Sequence, residues 1–205
     1  MYIWFLICVL GKIITLPLNF LSVEHLRLQE RHGKDKGTKI GETLGLVSGW
    51  GFFLFWIGIW ISPQPRFTVP VLHDLSIPIP TIDSAIPLLH LAISILFVGL
   101  GTRLAISGIR KTTLKTAETH RTEKIVTQGV YSIVRHPQYL GGLLAHFGIS
   151  ILFSALYSLF STPLMIVLVY FISWKEEKEL IREFGKEYED YKEKVPMLMP
   201  RLRGQ

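Results

Sequence analysis

Two tyrosines, an arginine, a histidine and a proline lie within nine residues of this chain, from Tyr131 to Tyr139. The surrounding stretch, GVYSIVRHPQYLGG, marks the point where a polar segment gives way to an apolar one. Pro137 suits the first position of a helix, because its φ is already helical and it has no N–H to leave unpaired. Arg135, His136 and the free backbone N–H groups at the positive end of such a helix predict a site for an anionic ligand.

The same residue types also anchor membrane helices among lipid headgroups. Taken alone, the stretch is compatible with either a binding site or an interfacial anchor. The choice between them depends on the elements that position these side chains.

The composition predicts an all-α integral membrane protein. Of 205 residues, 49% are hydrophobic, and they fall in long blocks that a soluble domain of this length seldom carries. Cys8 is the only cysteine and lies inside an apolar run, which indicates a small buried side chain rather than a disulfide or a metal ligand. No metal site is predicted. The first apolar block lacks a basic leader, so we expect a spanning helix there rather than a cleaved signal peptide.

Hydropathy and length predict about five membrane-spanning helices, over residues 1–23, 41–62, 84–108, 138–160 and 164–174. Residues 24–39 are predicted as a polar loop. Five prolines in residues 63–83 exclude a regular helix and favour a loop with short extended pieces. The fifth apolar block is too short to span alone, so we expect it to continue into the charged helix that follows. It could also pair with the fourth as a helical hairpin.

The basic residues are concentrated in three segments that five spans bring to one side of the membrane. Twenty of the 22 Lys and Arg residues lie in residues 24–39, 103–135 and 175–203; the exceptions are Lys12 and Arg66. The positive-inside rule then predicts an outside amino terminus and a cytoplasmic carboxyl terminus. The net charge of +6 is therefore assigned to topology, and nucleic-acid binding is not expected.

The tail carries a helical pattern of its own. Leu180, Phe184, Tyr188 and Tyr191 recur at helical spacing within an otherwise charged segment, which predicts an amphipathic cytoplasmic helix over residues 175–191, weakened at Gly185. The chain is thereby divided into a region of three spans, residues 1–108, and a second region, residues 109–205, that holds two spans, the polar connection before them and the tail helix.

Two blocks of this sequence resemble the isoprenylcysteine carboxyl methyltransferases and their prokaryotic relatives, within the broader phospholipid methyltransferase group. The first block is EKIVTQGVYSIVRHPQYLG, residues 123–141, and the second is EEKELIREFGKEYEDY, residues 176–191. Both agree with the family in content, order and separation. The short element Gly99-Leu-Gly101 also resembles a Gly-x-Gly element of phospholipid N-methyltransferases.

The resemblance implies a multi-span enzyme that uses S-adenosyl-L-methionine without a Rossmann domain, with its cofactor pocket at the cytoplasmic face. Arg135 and His136 are assigned as catalytic. The residues implied as cofactor contacts are Glu123, Lys124, Ile125, Val126, Tyr131, His136, Pro137, Gln138, Tyr139 and Glu176, with Thr116 near a further contact.

These residue types suit the chemistry of the cofactor. His136 and the helix start favour its carboxylate, and Glu176 favours its ammonium group. Tyrosine faces attract a sulfonium, and Ile125, Val126 and Val130 can bracket an adenine. An acceptor that is already a carboxylate needs alignment and exclusion of water, whereas an amine or thiol needs a base, for which His136 or His120 is the candidate.

The chain departs from the family at one position. An arginine four residues before the first tail glutamate holds the substrate carboxylate in the prenylcysteine enzymes, and Ile172 occupies that position here. Arg135, Arg103 and Arg110 are the candidates to replace it. The expected partners are membrane lipids and a lipophilic small molecule or lipidated substrate that enters from the bilayer. The expected location is the cell membrane of a prokaryote or the endoplasmic reticulum of a eukaryote.

Two other functions fit parts of the sequence. Membrane sterol reductases carry a similar Arg-His-Pro-x-Tyr-x-Gly element and use NADPH. A non-catalytic membrane scaffold would bind no cofactor. The glutamate block and its Phe-Gly-x-x-Tyr continuation favour the methyltransferase.

Overall fold

The computed structural model describes residues 2–69, 75–79, 84–113, 118–119 and 124–201. The α-helices are α1 (Ile3–Val23), α2 (His25–His32), α3 (Lys34–Ile61), α4 (Leu88–Thr112), α5 (Pro137–Leu152), α6 (Leu156–Phe160), α7 (Thr162–Phe184) and α8 (Lys186–Lys194). A 3₁₀ helix spans Gly129–Ser132. Strands β1 (Ser76–Ile79) and β2 (Ser84–Pro87) form an antiparallel hairpin in which Ile77 pairs with Ile86.

Three helices of the described ranges, α1, α3 and α4, are long and apolar enough to cross a membrane. This confirms the predicted helical membrane architecture at that level. Five spans remain a prediction, because α5 and the apolar half of α7 are shorter. Helix α4 continues to Thr112, past the predicted division at residue 108.

The helices pack mainly as two pairs, α1 with α3 and α4 with α5, and small residues allow close approach in each. A Cβ at Gly11 of α1 would collide with the ring of Phe55 on α3. At the second contact, Gly101 of α4 lies against the backbone of Gly141 on α5. The shared core is formed by Trp56, Ile59, Met165, Leu168 and Val169 from α3 and α7.

Three boundaries differ from the sequence prediction. Residues 24–39 are not a loop: they form α2 and the first turns of α3, which are joined by a hydrogen bond from Gln29 Nε2 to Thr38 Oγ1 of 2.9 Å. The helix predicted over residues 138–160 is interrupted, because the chain turns at Ser154, whose φ is 52°. Helix α5 ends at Leu152, and α6 continues to Phe160. There Ser154 O accepts a hydrogen bond from Phe67 N, and Leu156 N donates one to Pro65 O, each at 3.1 Å. The third apolar run becomes helical at Leu88 rather than at residue 84.

Helix α7 runs without a break through the fifth apolar block and into the charged tail, as predicted. The amphipathic tail helix is divided, because Gly185 adopts φ 57° and ψ −132° between α7 and α8. This positive φ is open to glycine and strained for other residues. The turn redirects α8 so that Tyr188 and Tyr191 are buried.

Candidate active site

The segment before α5 is shaped by its own sequence. Gly129 takes a φ of 68° and begins the 3₁₀ helix, which buries Tyr131. His136 caps α5 with a non-helical backbone, and Pro137 occupies the first helical position, as predicted. Arg135 and His136 are thereby placed side by side at the start of the helix.

Arg135 is held by an extensive set of partners. Its Nε lies 2.7 Å from Glu177 Oε1 and its Nη2 2.9 Å from Glu177 Oε2, a bidentate pair with both side chains almost fully buried. Its Nη1 donates to the carbonyl of Lys192 at 2.9 Å and also to that of Val195. The guanidinium therefore joins the start of α5 to α7 and to the chain that follows α8.

His136 lies between two adjacent glutamates of α7. Its Nε2 is 3.1 Å from Glu177 Oε1, and its Nδ1 is 3.6 Å from Glu176 Oε2. The imidazole stacks on the ring of Tyr139, with centroids 5.5 Å apart and the planes 4° from parallel. The hydroxyl of Tyr139 donates a hydrogen bond to Glu176 Oε1.

The amide of Gln138 connects three elements. Its Nε2 donates to Thr112 Oγ1 at the end of α4, at 3.1 Å, and to the hydroxyl of Tyr131 at 3.2 Å. Burial raises the pKa of Tyr131, so that its hydroxyl stays protonated at neutral pH. The end of α4 and the start of α5 therefore form one polar wall.

The segment after α8 returns to this site. Arg135 N donates to Pro196 O at 2.9 Å, and His136 N donates to Met197 O at 3.1 Å. The hydroxyl of Tyr191 donates to Tyr131 O at 2.6 Å. Two orphan donors ahead of α5 thus find acceptors, and the tail is fixed against the pocket.

Two opposing effects act on the Glu177 carboxyl. Burial by itself raises the pKa, but the hydrogen bonds from His136 and Arg135 and the positive charge of Arg135 outweigh it and hold the pKa below its usual value. Glu177 is therefore an anion that neutralises Arg135. Burial and the nearby Glu177 charge raise the pKa of Tyr188, which stays neutral.

These groups surround a cavity at one end of the helices. The cofactor contacts implied by the resemblance line it wherever the structure describes them: Lys124, Ile125, Val126, Tyr131, His136, Pro137, Gln138, Tyr139 and Glu176, together with Arg135. Val130, predicted beside the adenine, is not among the lining residues. Glu123, Thr116 and His120 lie outside the described residues. The cavity unites two sequence blocks that are separated by 34 residues.

Eight further lining residues were absent from the prediction: Val23, His25, Thr112, Glu179, Leu180, Glu183, Tyr188 and Tyr191. Leu180, Tyr188 and Tyr191 could have been found from their helical spacing in the tail. Val23 and His25 come from the junction of α1 and α2, where no local pattern indicates a site. The pairing of Glu177 with Arg135 was not predicted either, because the sequence alone does not distinguish Glu176, Glu177 and Glu179 as partners of an arginine.

The geometry favours a positioning role for Arg135 rather than contact with a substrate. Its Nε, Nη1 and Nη2 all donate to protein groups, and the residue is 8% exposed. Arg103 and Arg110, other candidates for holding a substrate carboxylate, are exposed on α4. Ile172 is buried at 3% exposure on α7. The catalytic assignment of Arg135 and His136 remains a prediction.

A second cavity, of about 820 Å³, adjoins the first and is almost entirely apolar. It lies between α4, α5, α7 and the segment after α8; its walls are Phe97, Leu140, Leu143, Leu144, Phe147, Thr162, Ile166, Val167, Tyr170, Phe171 and Pro196–Met199. Leu140 follows Tyr139 directly, and Pro196 and Met197 are bonded to the backbone of Arg135 and His136. The two cavities therefore share the start of α5 as a boundary.

Comparison with known proteins assigns this region to a family. Residues 89–187 match the family model described as phospholipid methyltransferase. Methanethiol S-methyltransferase 2 of Bradyrhizobium diazoefficiens is 44% identical over 75 residues, 36% of this chain and 27% of the relative. Protein-S-isoprenylcysteine O-methyltransferase of Xenopus laevis is 36% identical over 88 residues, 39% of this chain and 28% of the relative. The corresponding enzyme of Schizosaccharomyces pombe is 40% identical over 81 residues, 37% and 33% of the two chains.

The chain spans a third or less of the length of these curated relatives. The family match begins in α4 and ends in α8, so it contains the whole first block, the second block as far as residue 187, and most of the residues that line the polar cavity. Residues 89–187, just under half of the chain, therefore resemble a phospholipid methyltransferase domain.

Proposed function

We propose that this chain is a membrane-embedded, S-adenosylmethionine-dependent methyltransferase that acts on a lipophilic substrate. The observation that carries the proposal is the meeting of the two sequence blocks, residues 124–139 and Glu176, around one cavity beside an apolar cavity. A polar pocket suits a charged methyl donor, and its apolar neighbour suits an acceptor that arrives from the bilayer.

The residues of the polar cavity fit each part of S-adenosylmethionine. Glu176, Glu179 and Glu183 offer carboxylates for the ammonium group. The backbone N–H groups of Gln138 and Tyr139 in the first turn of α5 suit the carboxylate, since the N-cap residue His136 makes no side-chain hydrogen bond to that turn. Ile125, Val126 and Leu180 supply an apolar surface for the adenine, and tyrosine faces suit a sulfonium.

When bound, the cofactor supplies an electrophilic methyl group. The protein's task is then to align the acceptor and exclude water. Arg135 fixes the start of α5 through Glu177 and the tail carbonyls, and we assign it to positioning. His136 is the candidate base for a thiol or amine acceptor through Nδ1, which lies beyond hydrogen-bonding distance of Glu176.

The relatives differ in acceptor, as their names state: a small thiol in one group and an isoprenylcysteine carboxyl in the other. Buried Ile172 supplies no charge for a substrate carboxylate. The proposal therefore names a lipophilic acceptor whose apolar part lies in the apolar cavity. It also places the polar cavity on the cytoplasmic side of the cell membrane or endoplasmic reticulum.

Calorimetry on the purified full chain tests the cofactor. S-adenosylhomocysteine should bind, whereas NADPH should not. Glu176→Gln should weaken binding by about tenfold, the effect of losing one charge-assisted hydrogen bond. Arg66→Gln, at the opposite end of the helices, is the control and should bind as the wild type does. Binding of NADPH alone would support a reductase, and binding of neither would support a scaffold.

Methyl transfer itself is tested with membranes that contain the chain, radiolabelled S-adenosylmethionine and a lipid extract. Label should enter an extractable lipophilic product, and His136→Ala should abolish labelling of a thiol or amine acceptor, which needs the base. Separate additions of a short-chain thiol and of a prenylcysteine distinguish the two acceptor classes. Cofactor binding without any labelled product would overturn the assignment as a methyltransferase.

A further inference from the structure

The polar cavity has a wall that comes from the amino-terminal half of the chain. Val23 ends α1 and His25 begins α2, and both line the cavity opposite α7 and α8. His25 is 7% exposed and lies against Gly41 of α3, where a Cβ would collide with its ring. The corner between α1 and α2 is thus packed from behind by α3 and faces the cavity.

A chain of ion pairs joins this corner to α7. Lys175 Nζ lies 2.6 Å from Glu24 Oε1 and 2.9 Å from Glu179 Oε1. The side chains of Lys175 and Glu24 are each 13% exposed, and that of Glu179 is 10% exposed. Glu24 sits between Val23 and His25 in sequence, and Glu179 itself lines the cavity. The link is therefore at the rim of the site.

The two arginines at the ends of this series of ion pairs are much more exposed. Arg27 pairs with Glu24 at 2.8 Å and Arg182 pairs with Glu179 at 2.9 Å, but their side chains are 69% and 62% exposed. Exposed pairs contribute little, because water and salt screen them. The Glu24–Lys175 contact is better shielded, and it joins residues 151 positions apart in sequence.

The charges of the central pair reinforce one another. Burial alone lowers the pKa of Lys175, but its hydrogen bonds to Glu24 and Glu179 raise it above the ordinary value. Burial alone raises the pKa of Glu24, and the bonds from Lys175 and Arg27 bring it below the ordinary value. Both groups are charged at neutral pH, so the pair is intact under working conditions.

We propose that Glu24 and Lys175 are positioning residues that hold the α1–α2 corner against the polar cavity and so slow the release of the bound cofactor. The inference rests on the proposed function, since it concerns the same cavity. It assigns the amino-terminal half a part in the site, although the family match covers only residues 89–187. Neither residue needs to touch the cofactor.

The test is a double-mutant cycle on the dissociation rate of S-adenosylhomocysteine from the full chain. Glu24→Gln and Lys175→Gln should each raise the rate by about fivefold, the scale of one partly shielded ion pair. The double variant should be no faster than the faster single variant, because both changes remove one interaction. High salt should accelerate release from the wild type and leave the Glu24→Gln rate unchanged.

Two controls separate positioning from general loss of stability. Arg27→Gln removes only an exposed partner of Glu24 and should leave the rate unchanged. Gln64 follows the end of α3; its Nε2 donates a hydrogen bond to Ile59 O, and its Oε1 accepts one from Ser158 N. Gln64→Ala removes both bonds and should lower the unfolding temperature without changing the dissociation rate of S-adenosylhomocysteine. Additive effects in the cycle, or single-variant rates equal to that of the wild type, would overturn the inference. Failure of the wild type to bind would overturn the proposed function instead.

Discussion

At the residue scale, Glu176 and Glu177 show how neighbours in sequence take different roles. Successive residues of a helix point about 100° apart. Glu176 therefore faces the cavity, with its side chain 16% exposed, while Glu177 is 2% exposed beneath it. One carboxylate is available to a ligand, and the other is committed to Arg135.

The first prediction separates these two roles. Glu177→Gln leaves the buried guanidinium of Arg135 without its counter-charge and should lower the free energy of unfolding by about 3 kcal/mol. Glu176→Gln is the matched control and should change stability by less than about 1 kcal/mol while weakening S-adenosylhomocysteine binding. Denaturant unfolding and calorimetry measure the two effects. Equal stability losses would contradict the division of roles.

The second prediction concerns acid. Because the folded-state pKa of Glu177 lies below its usual value, its stabilisation is complete above the ordinary glutamate pKa of about 4.3. It is lost as the pH falls from that value through the lower folded-state pKa. The stability difference between the wild type and Glu177→Gln should therefore be constant near neutrality and shrink on acidification. A difference independent of pH would show that Glu177 is not ionised in the folded chain.

The sequence indicated most of the residues around the cavity, and its limits are physical. The residue types of the Arg135–Tyr139 stretch and of Glu176 indicate a ligand site even before the fold is known, and Pro137 indicates the helix start beside it. The sequence could not show that Arg135 pairs with Glu177 rather than with Glu176, since the pairing depends on how α7 is rotated relative to α5. Val23 and His25 reach the cavity only through tertiary packing.

At the element scale, Gly99 and Gly101 lie two residues apart on α4 and meet different surroundings. A Cβ at Gly101 would lie 2.5 Å from Gly141 O and 2.9 Å from Ala145 N, whereas nothing lies within 4 Å of one at Gly99. Hence Gly101 allows α4 to approach α5 closely, while Gly99 faces open space. Helix packing accounts for the glycine at 101.

The third prediction uses this pair. Gly101→Ala forces α4 away from α5 and should cost about 2 kcal/mol of stability, with weaker cofactor binding because Thr112 and Gln138 separate. Gly99→Ala should be neutral or slightly stabilising, since alanine is the better helix former. Thermal unfolding in detergent checks both variants. A tolerated Gly101→Ala would refute the packing explanation.

The continuity of α7 was predictable, because its apolar block is too short to span a membrane alone and is followed directly by a charged helical segment. The break at Gly185 was not, because one glycine in a periodic segment is usually tolerated and only tertiary packing shows that this one turns the chain. The helical form of residues 24–39 was missed for a similar reason. That segment has only two aliphatic side chains, Leu26 and Leu28, and its helices are stabilised by packing of α2 on α3.

At the scale of the whole molecule, the two ends of the helix bundle have different characters. Pro65 and Phe67 contact Leu156 and Ser154 at one end, while the cavity and the basic tail lie at the other. This arrangement agrees with the side assignment that the charge distribution predicts. Topology therefore becomes an expectation that labelling can test.

The fourth prediction is that topology. In a Cys8→Ser background, an impermeant maleimide applied to intact cells should label Arg66→Cys but neither Lys36→Cys nor Lys194→Cys. All three positions are exposed, so each should react after permeabilisation. Labelling of Lys36→Cys or Lys194→Cys in intact cells would contradict a cytoplasmic site.

The fifth prediction concerns access from the bilayer. Val167 lines the apolar cavity, Leu100 is not among its lining residues, and the two side chains are equally exposed at 47%. Val167→Trp should fill part of the cavity and displace the acceptor, lowering incorporation of labelled methyl groups by about tenfold. Its S-adenosylhomocysteine affinity should not change, because the polar cavity is untouched.

Leu100→Trp introduces the same bulk towards lipid and should retain full turnover. If both variants methylate the lipid extract at the wild-type rate, the acceptor does not use the apolar cavity, whereas a loss of cofactor affinity in Val167→Trp would mean that the two cavities are not separable.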